Sequence, residues 1–158
     1  MSPAVRPERV LIVDEDPDVL DLLSRQVLEP LGYKVATADN AGEAIQQAVG
    51  FTPDLIVASL MLPGLSGKDL LVALRSQGIE VPVLVTAEAG READAIQAFR
   101  LGARDYLVKP LREAEVLAAI ERSLQEVRLR HDSEQLTTQL ADSHRQLEAR
   151  VRELTTIY

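Results

Sequence analysis

At 158 residues, with 46% hydrophobic and only 3% aromatic positions, the chain has room for one aliphatic-cored domain and an additional element. It has no cysteine, which excludes disulfides and thiolate metal sites, and its formal charge of −8 opposes nonspecific contact with a nucleic-acid backbone. No apolar run approaches the ~20 residues of a membrane span, and residues 1–7 are short and polar with no signal-peptide core, so a soluble, cytoplasmic protein is expected.

From Val10 onward, short apolar runs alternate with longer amphipathic stretches. Val10-Leu11-Ile12-Val13 is too short for a helix and β-branched at three of four positions, which predicts a buried strand. Asp16 and Pro17 follow as an N-cap and a first-turn proline. Val19, Leu20, Leu23, Val27 and Leu28 then keep helical spacing up to a stop at Gly32. A second strand is expected over Lys34–Ala38, and a helix capped by Asn40 runs to about Val49. Residues 55–58 form the third strand and Ser66 caps a helix that stops near Gly78. The fourth strand is placed at residues 81–85, with Ile96, Phe99 and Leu101 on the next helix. Tyr106-Leu107-Val108 is the fifth strand, and helix resumes from Leu111.

Five βα units with apolar strands imply a parallel sheet covered by helices on both faces. Right-handed crossovers make this a doubly wound α/β fold, flavodoxin-like, with strand order 2-1-3-4-5. Ligands of such sheets sit beyond the carboxyl ends of the strands, where Asp14, Glu15, Ser59, Thr86 and Lys109 are expected to converge. After Ser123 no strand, proline or glycine occurs, so the last helix is expected to continue through the tail. A heptad register puts Leu140, Leu147 and Leu154 at d and Thr137, His144, Val151 and Tyr158 at a. Only its last two turns are convincingly apolar. The tail therefore reads either as a parallel coiled coil or as an interdomain linker, and its end inside an apolar heptad suggests a continuation into an output domain.

The acidic pair Asp14-Glu15, the strand ending at Ser59, Thr86-Ala87 and the phrase Gly102-Ala103-Arg104-Asp105-Tyr106-Leu107-Val108-Lys109-Pro110 resemble, in order and spacing, the response-regulator receiver domain of two-component signalling. The resemblance covers residues 8–124 and leaves 125–158 as a helical linker. It implies that Asp14, Glu15 and the Met61 backbone carbonyl cradle Mg²⁺, that Lys109 neutralises phosphoryl charge, and that Thr86 and Tyr106 are the switch residues. The Lys-Pro peptide is often cis in that family. A strand-end aspartate there accepts phosphate from a histidine kinase, whereas this chain has Ser59.

A serine hydroxyl is a poor nucleophile without a base, and both histidines, His131 and His144, lie in the tail. Losing one of three carboxylates also weakens the Mg²⁺ site. The expectation is a regulatory module, not an enzyme, which forms no acyl phosphate at Ser59. It works through contacts with a histidine kinase or other signalling protein, and by dimerising through the tail, through the face of residues 91–123, or both. Direct contact with nucleic acid or membrane is not expected. Phosphorylation of the Ser59 hydroxyl or of Glu15 stays open as the alternative, and a scaffold acting only through its long helix as a third.

Overall fold

The computed structural model describes residues 6–157, with side chains described to Arg152. Residues 1–5, Tyr158 and the Leu154 side chain, which include two positions of the expected heptad, lie outside the described residues. Contacts divide the chain into two units, one ending at Leu124 and one starting at Gln125.

Five parallel strands make up the sheet of the first unit: β1 (Arg9–Val13), β2 (Lys34–Ala38), β3 (Leu55–Ser59), β4 (Val83–Glu88) and β5 (Asp105–Lys109). Their order is β2-β1-β3-β4-β5, the doubly wound arrangement expected from the sequence. Because successive side chains of a strand point to opposite faces, the sheet feeds two cores. Leu11, Val13, Ile56, Ala58, Val83 and Val85 meet α2 (Ala41–Phe51), α3 (Gly67–Ser76) and α4 (Glu92–Arg100) on one face. Val10, Ile12, Leu55, Val57, Leu84 and Leu107 meet Leu23, Val27 and Leu28 and the first turns of α5 (Glu113–Ile157) on the other. Val116, Ala119, Ile120 and Leu124 are the α5 residues in that core. Each fully buried Leu, Ile or Val contributes roughly 1.5–3 kcal/mol through removal from water.

The first helix departs from the sequence expectation in its geometry. It starts as α1 (Pro17–Asp21), capped by the Asp16 side chain, and widens into π-helical turns over Leu22–Leu28. It closes as a 3₁₀ turn at Glu29–Leu31, with Gly32 left-handed at φ 94°. Strand β4 also sits later than residues 81–85. Pro82 has no N–H to give a ladder, and the strand runs on to Glu88 because Ala87 and Glu88 pair with Val108 and Lys109.

Candidate functional site

At the carboxyl edge of the sheet, β1 and β3 end side by side, with Val13 registered against Ala58. The next residues outward are Asp14 and Ser59. Ser59 in turn pairs with Thr86 of β4, and Thr86 with Leu107 of β5. Topology alone thus brings together residues spread over most of the first unit's length. Ser59 and Thr86 are each 1% exposed, and Asp14 is 2% exposed.

Asp14 is held from three directions. Its backbone N–H donates to the Ala38 carbonyl, its Oδ1 accepts the Asp16 N–H at 2.9 Å, and its Oδ2 meets Lys109 Nζ at 3.0 Å. Glu15 lies on the same ammonium at 3.6 Å but is more exposed. Burial pushes the Asp14 carboxyl up from its usual value, against the Asp16 N–H and Lys109, which pull it down. Burial alone would lower the Lys109 ammonium, but the hydrogen bond and charge of Asp14, then Glu15 and Glu88, outweigh it and raise the group. Because β3 and β4 lie between β1 and β5, and neighbouring strands are about 4.8 Å apart, the Lys109–Asp14 bridge spans the ends of β3 and β4. The Lys109–Pro110 peptide at its base is cis.

The Ser59 hydroxyl accepts the Met61 N–H at 3.2 Å, so the serine ties down the loop that follows β3. That loop returns tightly: Gly67 N–H donates to the Leu60 carbonyl at 3.0 Å. A Cβ on Gly67 would stand 2.5 Å from the Ser59 carbonyl oxygen and 2.8 Å from the Leu60 Cα, so only glycine permits this approach. Ser66 and Asp69 form a reciprocal capping box that starts α3 at the same place.

Two hydroxyls of the site make no hydrogen bond. Thr86 Oγ1 and Tyr106 Oη are both buried without a partner, an uncommon condition for buried polar atoms. Burial, then the charge of Glu92, raises the Tyr106 phenol above its usual value. The sequence pointed to both residues, but their lack of partners has no sequence signal.

A divalent cation would find an incomplete donor set. Asp14 is already committed to Lys109 and Asp16, Glu15 is the second carboxylate, and position 59 supplies a neutral oxygen. Among the described residues no group of three or more His, Cys, Asp or Glu side chains is placed to hold a metal. Mg²⁺ keeps several waters and is commonly held by one or two carboxylates in near-octahedral geometry; here Asp14 and Glu15 would hold it, in competition with Lys109, which contacts both.

Sequence reasoning missed one charged link beside the site. Lys68 of α3 reaches α4, with Nζ 3.0 Å from Asp94 Oδ1 and 2.7 Å from Gln97 Oε1. The Lys68 hydrogen bond holds the Asp94 carboxyl below its usual range. A lysine early in one helix and an aspartate in the next give no periodic signal that they will meet.

A five-stranded doubly wound sheet with an acidic pair, two hydroxyls and a lysine at its carboxyl edge defines a receiver-type signalling domain. Residues 10–121 match the family described as response regulator receiver domain, and the chain belongs to that family. It is 40% identical over 121 residues to the transcriptional regulatory protein PrrA of Mycobacterium tuberculosis, covering 77% of this chain and 52% of that protein. It is 37% identical over 114 residues to the alkaline phosphatase synthesis transcriptional regulatory protein PhoP of Bacillus subtilis, covering 72% of this chain and 47% of that one. The chain thus spans about half the length of these curated relatives. Among solved structures, the receiver domain of NtrX from Brucella abortus is 30% identical with a TM-score of 0.69, covering 73% of this chain and 98% of that one. A CheY-like receiver domain from Methanospirillum hungatei is 27% identical with a TM-score of 0.71, covering 77% and 96%. Among the described residues, no helix is long and apolar enough to cross a membrane.

Proposed function

We propose that this chain is a receiver module in which Ser59 occupies the acceptor position, so that no acyl phosphate forms there, and that it signals through protein contacts. The observation that carries the reading is the state of the strand edge. Ser59 is buried, its hydroxyl accepts the Met61 N–H, and the Lys109 ammonium is satisfied by Asp14 and Glu15 instead of waiting for phosphate. Activating a serine requires a base, and the unit up to Leu124 contains no histidine.

The module's partners are a histidine kinase or another signalling protein, and a second copy of the chain met through the tail, through the face of residues 91–123, or both. Mg²⁺ binding is weakened by the loss of a carboxylate. Contact with DNA lies outside these residues, whose overall charge of −8 is adverse. The test is incubation with Mg²⁺ and acetyl phosphate followed by intact-mass measurement. The chain should gain no phosphoryl adduct, and Ser59→Asp should gain one if the rest of the pocket is competent. A stable adduct on the unaltered chain that Ser59→Ala removes would overturn the reading in favour of Ser59 as acceptor. An adduct that survives Ser59→Ala and is lost in Glu15→Gln would overturn it in favour of Glu15.

A further inference from the structure

Helix α5 (Glu113–Ile157) continues through the second unit, and there every described side chain from Arg128 to Arg152 is exposed. Helical stability in proteins comes mostly from packing of an apolar face, so the face that this exposed helix offers is informative. Five large apolar residues stand out: Leu129, Leu136, Leu140, Leu147 and Val151, all between 59 and 71% exposed. Their spacings are seven, four, seven and four. At about 100° per residue, all five fall within an arc of about 60°, a single narrow stripe along the tail.

This stripe follows the heptad only in part: Leu140, Leu147 and Val151 lie on both. Leu129, Leu140 and Val151 repeat at eleven residues, and so do Leu136 and Leu147. An eleven-residue repeat gives about 3.67 residues per turn and a nearly straight or gently right-handed pairing, not the left-handed supercoil of a heptad. The heptad left Leu129 and Leu136 off the seam and put the polar Thr137 and His144 on it. The eleven-residue frame reverses both assignments.

The flanks of the stripe identify its occupant. Glu126, Arg130 and Glu148 lie on one side, and Arg128, Asp132 and Arg150 on the other. Two residues apart in each case, the flanks carry opposite signs at all three levels: Glu126 with Arg128, Arg130 with Asp132, Glu148 with Arg150. In a parallel, in-register pair, the left flank of one copy faces the right flank of the other, so opposite charges meet at every level. An antiparallel pair centred on Leu140 would bring Arg128 within a turn of Arg150 from the other copy.

We propose that the tail pairs with a second copy of this chain, parallel and in register, through the stripe Leu129–Leu136–Leu140–Leu147–Val151. The proposal rests on the reading of the chain as a contact module and names the surface used for self-association. The chain has no cysteine, so single-cysteine variants of the full chain report cleanly. Under mild oxidation, Leu136→Cys and Leu140→Cys should each form a disulfide-linked homodimer, while Thr138→Cys, on the opposite side of the helix, should not. Equal cross-linking at all three positions, or a cross-link only between Leu136→Cys and a variant further along the tail, would overturn it.

Sedimentation equilibrium supplies the second arm. Leu136→Lys should weaken self-association at least tenfold, and Thr137→Lys should leave it unchanged; the reverse pattern restores the heptad and ends the proposal. A monomer at all concentrations ends it as well. Phosphodonor labelling reports on the strand-edge pocket, so the pocket and the stripe fail or succeed separately.

Discussion

The Lys109–Asp14 pair carries the clearest consequence for single side chains. Both partners are mostly out of water and joined at 3.0 Å, and breaking such a pair from one side leaves an uncompensated charge. Lys109→Met should therefore destabilise the fold by about 3 kcal/mol near neutral pH, measured by urea unfolding. The loss should shrink in acid, because a protonated Asp14 needs no counterion. Tyr106 gives a second test. Its phenol is raised by burial and then by Glu92, so the folded state favours the neutral form. Stability from this group is complete below the ordinary phenol value of about 10 and is lost as pH rises through the folded value. An absorbance titration at 295 nm in a Tyr33→Phe, Tyr158→Phe background should show ionisation later than in the urea-unfolded chain. Coincident curves would refute it. Asp14, Ser59, Thr86 and Lys109 were legible in the sequence as strand-end residues. Their pairing was not, because a lysine on β5 meets the end of β1 only through the strand order.

Among the elements, those with local signals were the ones the sequence placed well. Asp16, Asn40 and Ser66 cap the helices they were expected to cap, and each side chain accepts a hydrogen bond from the first turn. Removing the Ser66 hydroxyl with Ser66→Ala should cost about 1 kcal/mol, read from chemical denaturation. It should also loosen the turn at Gly67 that abuts Ser59, visible as faster amide exchange at Gly67. A change below a few tenths of a kcal/mol would mean the box is decorative. Strand β4 was started two residues early because Val81 is apolar and packs on the core from the loop. Burial without ladder pairing looks like strand in a sequence. In the tail, the expected heptad takes in the exposed Leu140, Leu147 and Val151 but leaves the exposed Leu129 and Leu136 off its seam.

For the molecule as a whole, both buried cores close before Gln125. Thermal unfolding of the first unit, followed by Tyr33 and Tyr106 absorbance, should have a midpoint close to independent of protein concentration. Helical circular dichroism from the tail should decline on dilution, as mass action requires of a segment held by a second copy. Loss of both signals together on dilution would show that the first unit also depends on association. The π-helical stretch Leu22–Leu28 has a different kind of consequence. Wide turns hold more residues per turn than α-helix does, so this segment stores slack in chain length. Its buried residues, Leu23, Ser24, Val27 and Leu28, would keep one face if the exposed Gln26 were deleted and the segment tightened to α-helix. A one-residue deletion there should be absorbed, whereas the same deletion in the middle of α3 would rotate Leu74 away from the core. The first helix is therefore where this domain can change length without changing fold.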